Sequence, residues 1–151
     1  MKIIFLPIIL LLAGSFPASG QETDPLVSRC ALTAGKDAKY LKDFKVQLGQ
    51  AETLTDLRFR VNMALRKNTR YRFSMCDADN SKGKLILSIR DVTNKLILTS
   101  YDKNSGKISP NVDFKCTKSG IYLLYYDFEN GQQGSGIGVV SMLMKPLKNR
   151  K

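Results

Sequence analysis

Leu57, Phe59, Val61, Met63 and Leu65 alternate without a break with Arg58, Arg60, Asn62, Ala64 and Arg66. A two-residue period of that length marks a strand with one face on an apolar core and the other in water. After the polar interval Lys67-Asn68-Thr69, the residues Tyr71, Phe73 and Met75 resume the alternation against Arg70, Arg72, Ser74 and Cys76. In an antiparallel hairpin, residues directly opposite share a face, so Leu65 should pair with Tyr71, Met63 with Phe73 and Val61 with Met75. Arg66 then stands opposite Arg70 around a three-residue loop, in which Asn68 or Thr69 takes a left-handed conformation.

Similar patterns recur at short spacing. Asp43 to Leu48, Leu85 to Arg90, Leu96 to about Tyr101 and Val112 to Cys116 read as strands. Asp91-Val92-Thr93-Asn94, the loop Asp102 to Ser109 and Lys118-Ser119-Gly120 supply turns between them. Ile121 to Tyr126 is apolar on both parities and is the candidate central strand, and Ile137 to Met144 is apolar on both parities as well. The link from Asn130 to Gly136 reads as a flexible hairpin, since no Gly-Lys-Ser/Thr element follows its glycines to make a nucleotide loop. No window of ten or more residues after the leader carries a helical stripe. Seven or eight short strands with turns between them predict an all-β chain, an antiparallel, jelly-roll-like β-sandwich over residues 43–146. A single open sheet of that size would leave an apolar face uncovered.

The flanks read differently. Lys2, the apolar run from Ile3 to Ala13 and the small residues Ala18-Ser19-Gly20 make residues 1–20 a secretory signal peptide. Cleavage before Gln21 leaves no membrane-spanning segment, and the expected location is periplasmic or secreted. Ser15 stands where a lipoprotein signal would carry its acylated cysteine. Residues 21–42 form a lead-in that is extended through Lys36; Tyr40, Leu41 and Phe44 are placed to line one face of a short helical turn. Residues 147–151 are a basic tail.

Composition narrows the chemistry. The chain has no histidine, so histidine-dependent hydrolysis and imidazole-ligated zinc are excluded. It has no tryptophan to stack on a sugar, although tyrosine can serve. A net charge of +11 on the whole chain favours polyanions, and export makes nucleic acid an improbable one. Three cysteines fit no zinc or redox spacing; an oxidising destination allows one disulfide, expected between Cys76 and Cys116, with Cys30 free or joined to a partner.

The strand Tyr71-Arg72-Phe73-Ser74-Met75, the strand Leu85-Ile86-Leu87-Ser88-Ile89-Arg90-Asp91, and the run from Asp113-Phe114 through Ser119-Gly120-Ile121-Tyr122 together resemble pre-peptidase C-terminal domains, the jelly-roll modules of secreted bacterial proteases. The pattern is also similar to that of small exported proteins of Bacteroides-type bacteria. The resemblance covers roughly residues 55 to 144 and implies an accessory module without catalytic residues. It departs from the usual arrangement in that no protease accompanies it.

Three places invite a ligand. Arg58, Arg60, Arg66, Arg70 and Arg72 should all point outward from the two alternating strands, and the arginine fork suits phosphate and carboxylate groups. The same charges also keep a sheet face soluble. Asp77, Asp79 and Ser81 present oxygens at alternating positions, as a calcium loop does, while an Asx-rich turn accounts for the same residues. Tyr125, Asp127 and their neighbours near a glycine-rich link form a candidate cradle for a sugar; two carboxyls at Asp127 and Glu129 do not make a glycosidase by spacing alone. The expectation is a non-enzymatic binding or adhesion module for an acidic polysaccharide or envelope surface, without a cofactor. The alternative is an accessory subunit contacting an envelope protein.

Overall fold

The computed structural model describes residues 24–53 and 58–144. Residues 1–20, expected to be a signal peptide, together with Leu57 and the expected basic tail, lie outside the described residues. A helix, α1 (Pro25–Thr33), precedes eight strands: β1 (Ala38–Leu48), β2 (Phe59–Leu65), β3 (Thr69–Asp77), β4 (Leu85–Arg90), β5 (Leu96–Thr99), β6 (Asn111–Cys116), β7 (Gly120–Phe128) and β8 (Gly134–Leu143). They form two four-stranded antiparallel sheets, ordered β1-β8-β3-β6 and β2-β7-β4-β5. Only β4 and β5 are both consecutive and paired; every other connection crosses from one sheet to the other. That winding is the eight-stranded jelly roll. The period-two side chains fill the space between the sheets, with Phe73, Leu87, Ile89, Leu124, Tyr126 and Val140 all fully buried. β7, which contains the expected central strand Ile121 to Tyr126, lies between β2 and β4, as its two apolar parities predict.

The expected β2–β3 hairpin does not form. β2 pairs with β7, while β3 pairs with β6 and β8 in the other sheet. The turn between them is an arch over the core, and the alternation is the same for an arch as for a hairpin, because both direct Met63 and Phe73 inward. The turn conformation is as expected: Asn68 has φ 60°. Buried Tyr71 completes the arch, its hydroxyl accepting from the Arg66 backbone N–H at 2.9 Å.

The lead-in is also corrected. Asp24 caps α1 by accepting from the Leu26 N–H at 2.9 Å, Pro25 fills the first helical position, and Gly35 follows the helix at φ 92°. These are standard start and stop residues. Tyr40, Leu41 and Phe44 belong to β1, which begins at Ala38. α1 lies on the outer face of the β1-β8-β3-β6 sheet, where Val27 and Cys30 pack against Ile137, Val139 and Cys76. This cover explains why β8 is apolar on both parities.

Cys76 is bonded to Cys30, with Cα atoms 5.7 Å apart, and Cys116 is a free, buried thiol. The expected Cys76–Cys116 bridge is excluded by side-chain parity. Cys76 follows inward Met75 and therefore faces out, beneath α1, whereas Cys116 continues the inward series Val112, Phe114. The glycines of β8 are not a flexible link either. A Cβ at Gly138 would sit 2.5 Å from the Tyr126 ring, and one at Gly134 would overlap Phe128. Bare backbone at these points lets two core aromatics of β7 pack against β8 across the sandwich.

Candidate ligand-binding surface

The five arginines do not share a face. Because β2 and β3 belong to different sheets, Arg60 and Arg70 point away from opposite sides of the sandwich. Two of the five are bound internally. Arg58 clamps the carboxylate of Asp127, its Nε donating at 2.9 and 3.0 Å and its Nη2 at 2.6 Å, while Nη1 reaches the Gly49 carbonyl at 2.6 Å. The Asp127 side chain is only 4% exposed, so this is a nearly dry ion pair. Arg72 forks onto Asp113 at 2.6 and 2.8 Å and donates to Ala34 O at 2.8 Å, closing the C-terminus of α1. The guanidinium of Arg72 holds the Asp113 carboxyl below the usual carboxylate range. Arg60, Arg66 and Arg70 remain exposed, Arg70 lying 3.8 Å from Asp113.

The sugar cradle and the calcium loop are likewise occupied by the fold. Tyr125 is buried beneath the Arg90 guanidinium, 5.9 Å from its ring, and its hydroxyl reaches Asn94 Oδ1 at 3.4 Å. In the loop after β3, Asp77 accepts from the Leu85 N–H at 2.7 Å, and Ser81 donates to Gly83 O at 2.7 Å. Asp79 points to Arg29, 3.7 Å away. Their oxygens serve three separate partners, which is the Asx-turn account. Among the described residues no group of three or more His, Cys, Asp or Glu is placed to hold a metal.

What the fold does bring together lies at one end of the sandwich. Three tight connections, 66–68, 91–95 and 117–119, meet there. The Lys67 N–H donates to Ser119 Oγ at 2.9 Å, and the Asn68 N–H to Cys116 O at 2.8 Å. Between the second and third connections runs a groove of about 350 Å³ lined by Val92, Ile97, Ile121, Tyr122, Lys118 and Asp91, among others. Val92 is 70% exposed and Ile121 47%, unusual for apolar residues on a turn and a strand end. Leu96 is exposed beside them, and Tyr40, Leu41 and Met144 are exposed where β1 begins and β8 ends, at this same end.

The charge is as uneven as the apolar surface. The three connections and the strand ends beside them carry Arg66, Lys67, Arg70, Arg90, Lys95, Lys115 and Lys118 against Asp91 and Asp113, and where β1 begins Lys36 and Lys39 stand with Asp37. Asp113 is held by Arg72. Asp91 is turned onto its own loop, accepting from the Thr93 hydroxyl at 2.6 Å and from the Lys95 N–H at 3.0 Å. The Thr93 hydroxyl in particular keeps its carboxyl below the usual range. Arg70 is the direct cross-strand neighbour of Lys115, a like-charge pairing that a sheet ordinarily avoids. Among the described residues Arg66, Lys67, Lys95, Lys115 and Lys118 make no ion pair. At the opposite end Glu52, Asp77, Asp79, Asp102 and Glu129 are mixed with Lys82, Lys84, Lys103 and Lys107. The strand reading placed only Arg66 and Arg70 at this surface. Lys67, Lys95 and Lys118 were visible as turn cations, and Val92 as a β-branched apolar residue inside a turn, where polar residues are the rule.

No family model matches the chain, and comparison with curated proteins gives no match.

Proposed function

We propose that this protein is an exported, non-enzymatic binding module whose ligand is an acidic surface, engaged through the end formed by the connections 66–68, 91–95 and 117–119. The observation that carries the reading is the cluster of cations there without carboxylate partners, beside a balanced opposite end. Cations of one sign gathered on one surface attract polyanions and speed their encounter. The absence of histidine from the sequence and the enclosure of Asp127 beneath Arg58 support a binding role over hydrolysis. A second reading, an accessory subunit docking on another envelope protein, is favoured by the apolar groove beside Val92, Ile97 and Ile121.

Charge-matched variants separate these readings from a merely solvated surface. Arg66→Gln/Lys67→Gln/Lys118→Gln should lose salt-sensitive binding to a soluble sulfated polymer, measured by calorimetry. Lys82→Gln/Lys84→Gln/Lys103→Gln, with the same change in net charge at the other end, should bind like the parent. Equal loss in both variants would mean that only net charge matters and would defeat the proposal. Salt-insensitive capture of an envelope protein, without polymer binding, would favour the subunit reading.

A further inference from the structure

We infer that the acidic surface is an anionic phospholipid bilayer, and that Val92, Ile97 and Ile121 enter its headgroup region while the cations around them meet phosphates. This rests on the binding reading above and specifies its partner. Charge alone is satisfied by any polyanion, but an acidic polysaccharide offers nothing to apolar side chains. A bilayer of anionic lipid offers both, phosphates outside and acyl chains beneath.

The geometry fits that order. Val92 lies in the β4–β5 turn, Ile97 on the edge strand that follows it, and Ile121 is the second residue of β7. They come from two separate connections and border one groove, so they form a contiguous apolar surface with a charged rim, the kind that marks an interaction site. Lys118 lines that groove, Lys95 belongs to the turn that presents Val92, and the Lys67 turn is hydrogen-bonded to the Ser119 turn. Cations within a Debye length of an anionic leaflet are attracted to it, and short apolar side chains beside them add binding through burial at the headgroup boundary. Tyr40, Leu41 and Met144 are also exposed at this end, where β1 begins and β8 ends in the other sheet.

The test is co-sedimentation of the chain as an expressing cell processes it, its N-terminus read by mass spectrometry. Three probes are compared: phosphatidylcholine vesicles, the same vesicles with phosphatidylglycerol added, and soluble dextran sulfate. The parent should bind the anionic vesicles in a salt-dependent way and the neutral vesicles far less. Val92→Ser/Ile121→Ser changes only exposed side chains; it should weaken binding to the anionic vesicles about tenfold and leave dextran sulfate binding unchanged. Dextran sulfate binding with no vesicle binding, or vesicle binding indifferent to the apolar variant, would overturn the bilayer inference alone. Loss of dextran sulfate binding as well, in the parent protein, would bring down the acidic-ligand reading with it. Equal binding to neutral and anionic vesicles would also overturn the inference, because the cations would then play no part.

Discussion

At the end of the sandwich where the long loops gather, polar side chains bond back to the fold. Arg58 spans Asp127 and Gly49 O, Asp77 meets the Leu85 N–H, Ser81 meets Gly83 O, and Asp102 meets the Asn104 N–H. At the other end the tight connections are closed by backbone pairs and by a few side chains, namely Ser119, Asp91, Tyr71 and Tyr122. Arg66, Lys67, Lys118 and Val92 are not needed for that closure. Long loops use their polar side chains to satisfy backbone groups that no strand partner reaches, whereas tight turns need few of them and leave the rest to face outward. A cation count taken from the sequence therefore does not measure how many cations are available to a ligand.

The sharpest way to break this contrast is Arg58→Ala. It strands the Asp127 carboxylate in a nearly dry site, and removing one partner of such a pair costs about 3–5 kcal/mol. Urea unfolding should show that loss, while the folded fraction binds polyanion as the parent does. A binding defect in the folded fraction would mean that the two ends are not independent. The pair Cys30→Ser/Cys76→Ser should cost about 2–4 kcal/mol by the same measurement, because the bridge closes a long loop across a sequence separation of 46. Binding at the turn end should again survive.

Lys67→Gln/Lys118→Gln should do the reverse. Stability should stay within about 0.5 kcal/mol of the parent. Affinity for an anionic surface should fall about thirtyfold, from roughly 1 kcal/mol per cation near such a surface. Tyr126→Phe concerns neither end. The Tyr126 hydroxyl is buried and has no hydrogen-bond partner among the described residues, and burial pushes its ionisation far up. Removing it should raise stability by about 1 kcal/mol, since an unsatisfied buried hydroxyl costs on that order.

The smallest expected effect is a pH slope. The Asp113 carboxyl is depressed chiefly by its hydrogen bonds from Arg72. A depressed folded-state value contributes stability that is present above the unfolded value, about 4 for an aspartate, and is lost as pH falls through the folded one. Asp113→Asn should therefore flatten the acid side of the stability curve. Solvent screening keeps the change slight, because the Asp113 side chain is 37% exposed.

Much of this fold was legible in the sequence, through alternation that gives the same inward set under any strand pairing. Phe59, Val61, Phe73 and Met75 line the core as their period requires. Pairing was not legible, because an arch and a hairpin bury the same side chains. The disulfide was within reach, since parity alone sets Cys76 and Cys116 on opposite faces. So was α1, whose Asp24-Pro25 start and Gly35 stop outweigh a weak apolar stripe. The β8 glycines were misread because their use depends on Tyr126 and Phe128 of β7, which only the packing of the two sheets face to face brings close. The candidate site lay in the turns rather than in the alternating strands. Its cations become one surface only when connections far apart in sequence meet at one end.

Residue-resolved NMR titration with a soluble sulfated polymer tests the central claim most directly. Backbone shifts should change at 66–70, 91–97 and 115–121, fade as salt is raised, and stay unchanged at 77–84 and 100–110. Shifts centred on those two long loops, or spread evenly over every exposed lysine, would contradict the account.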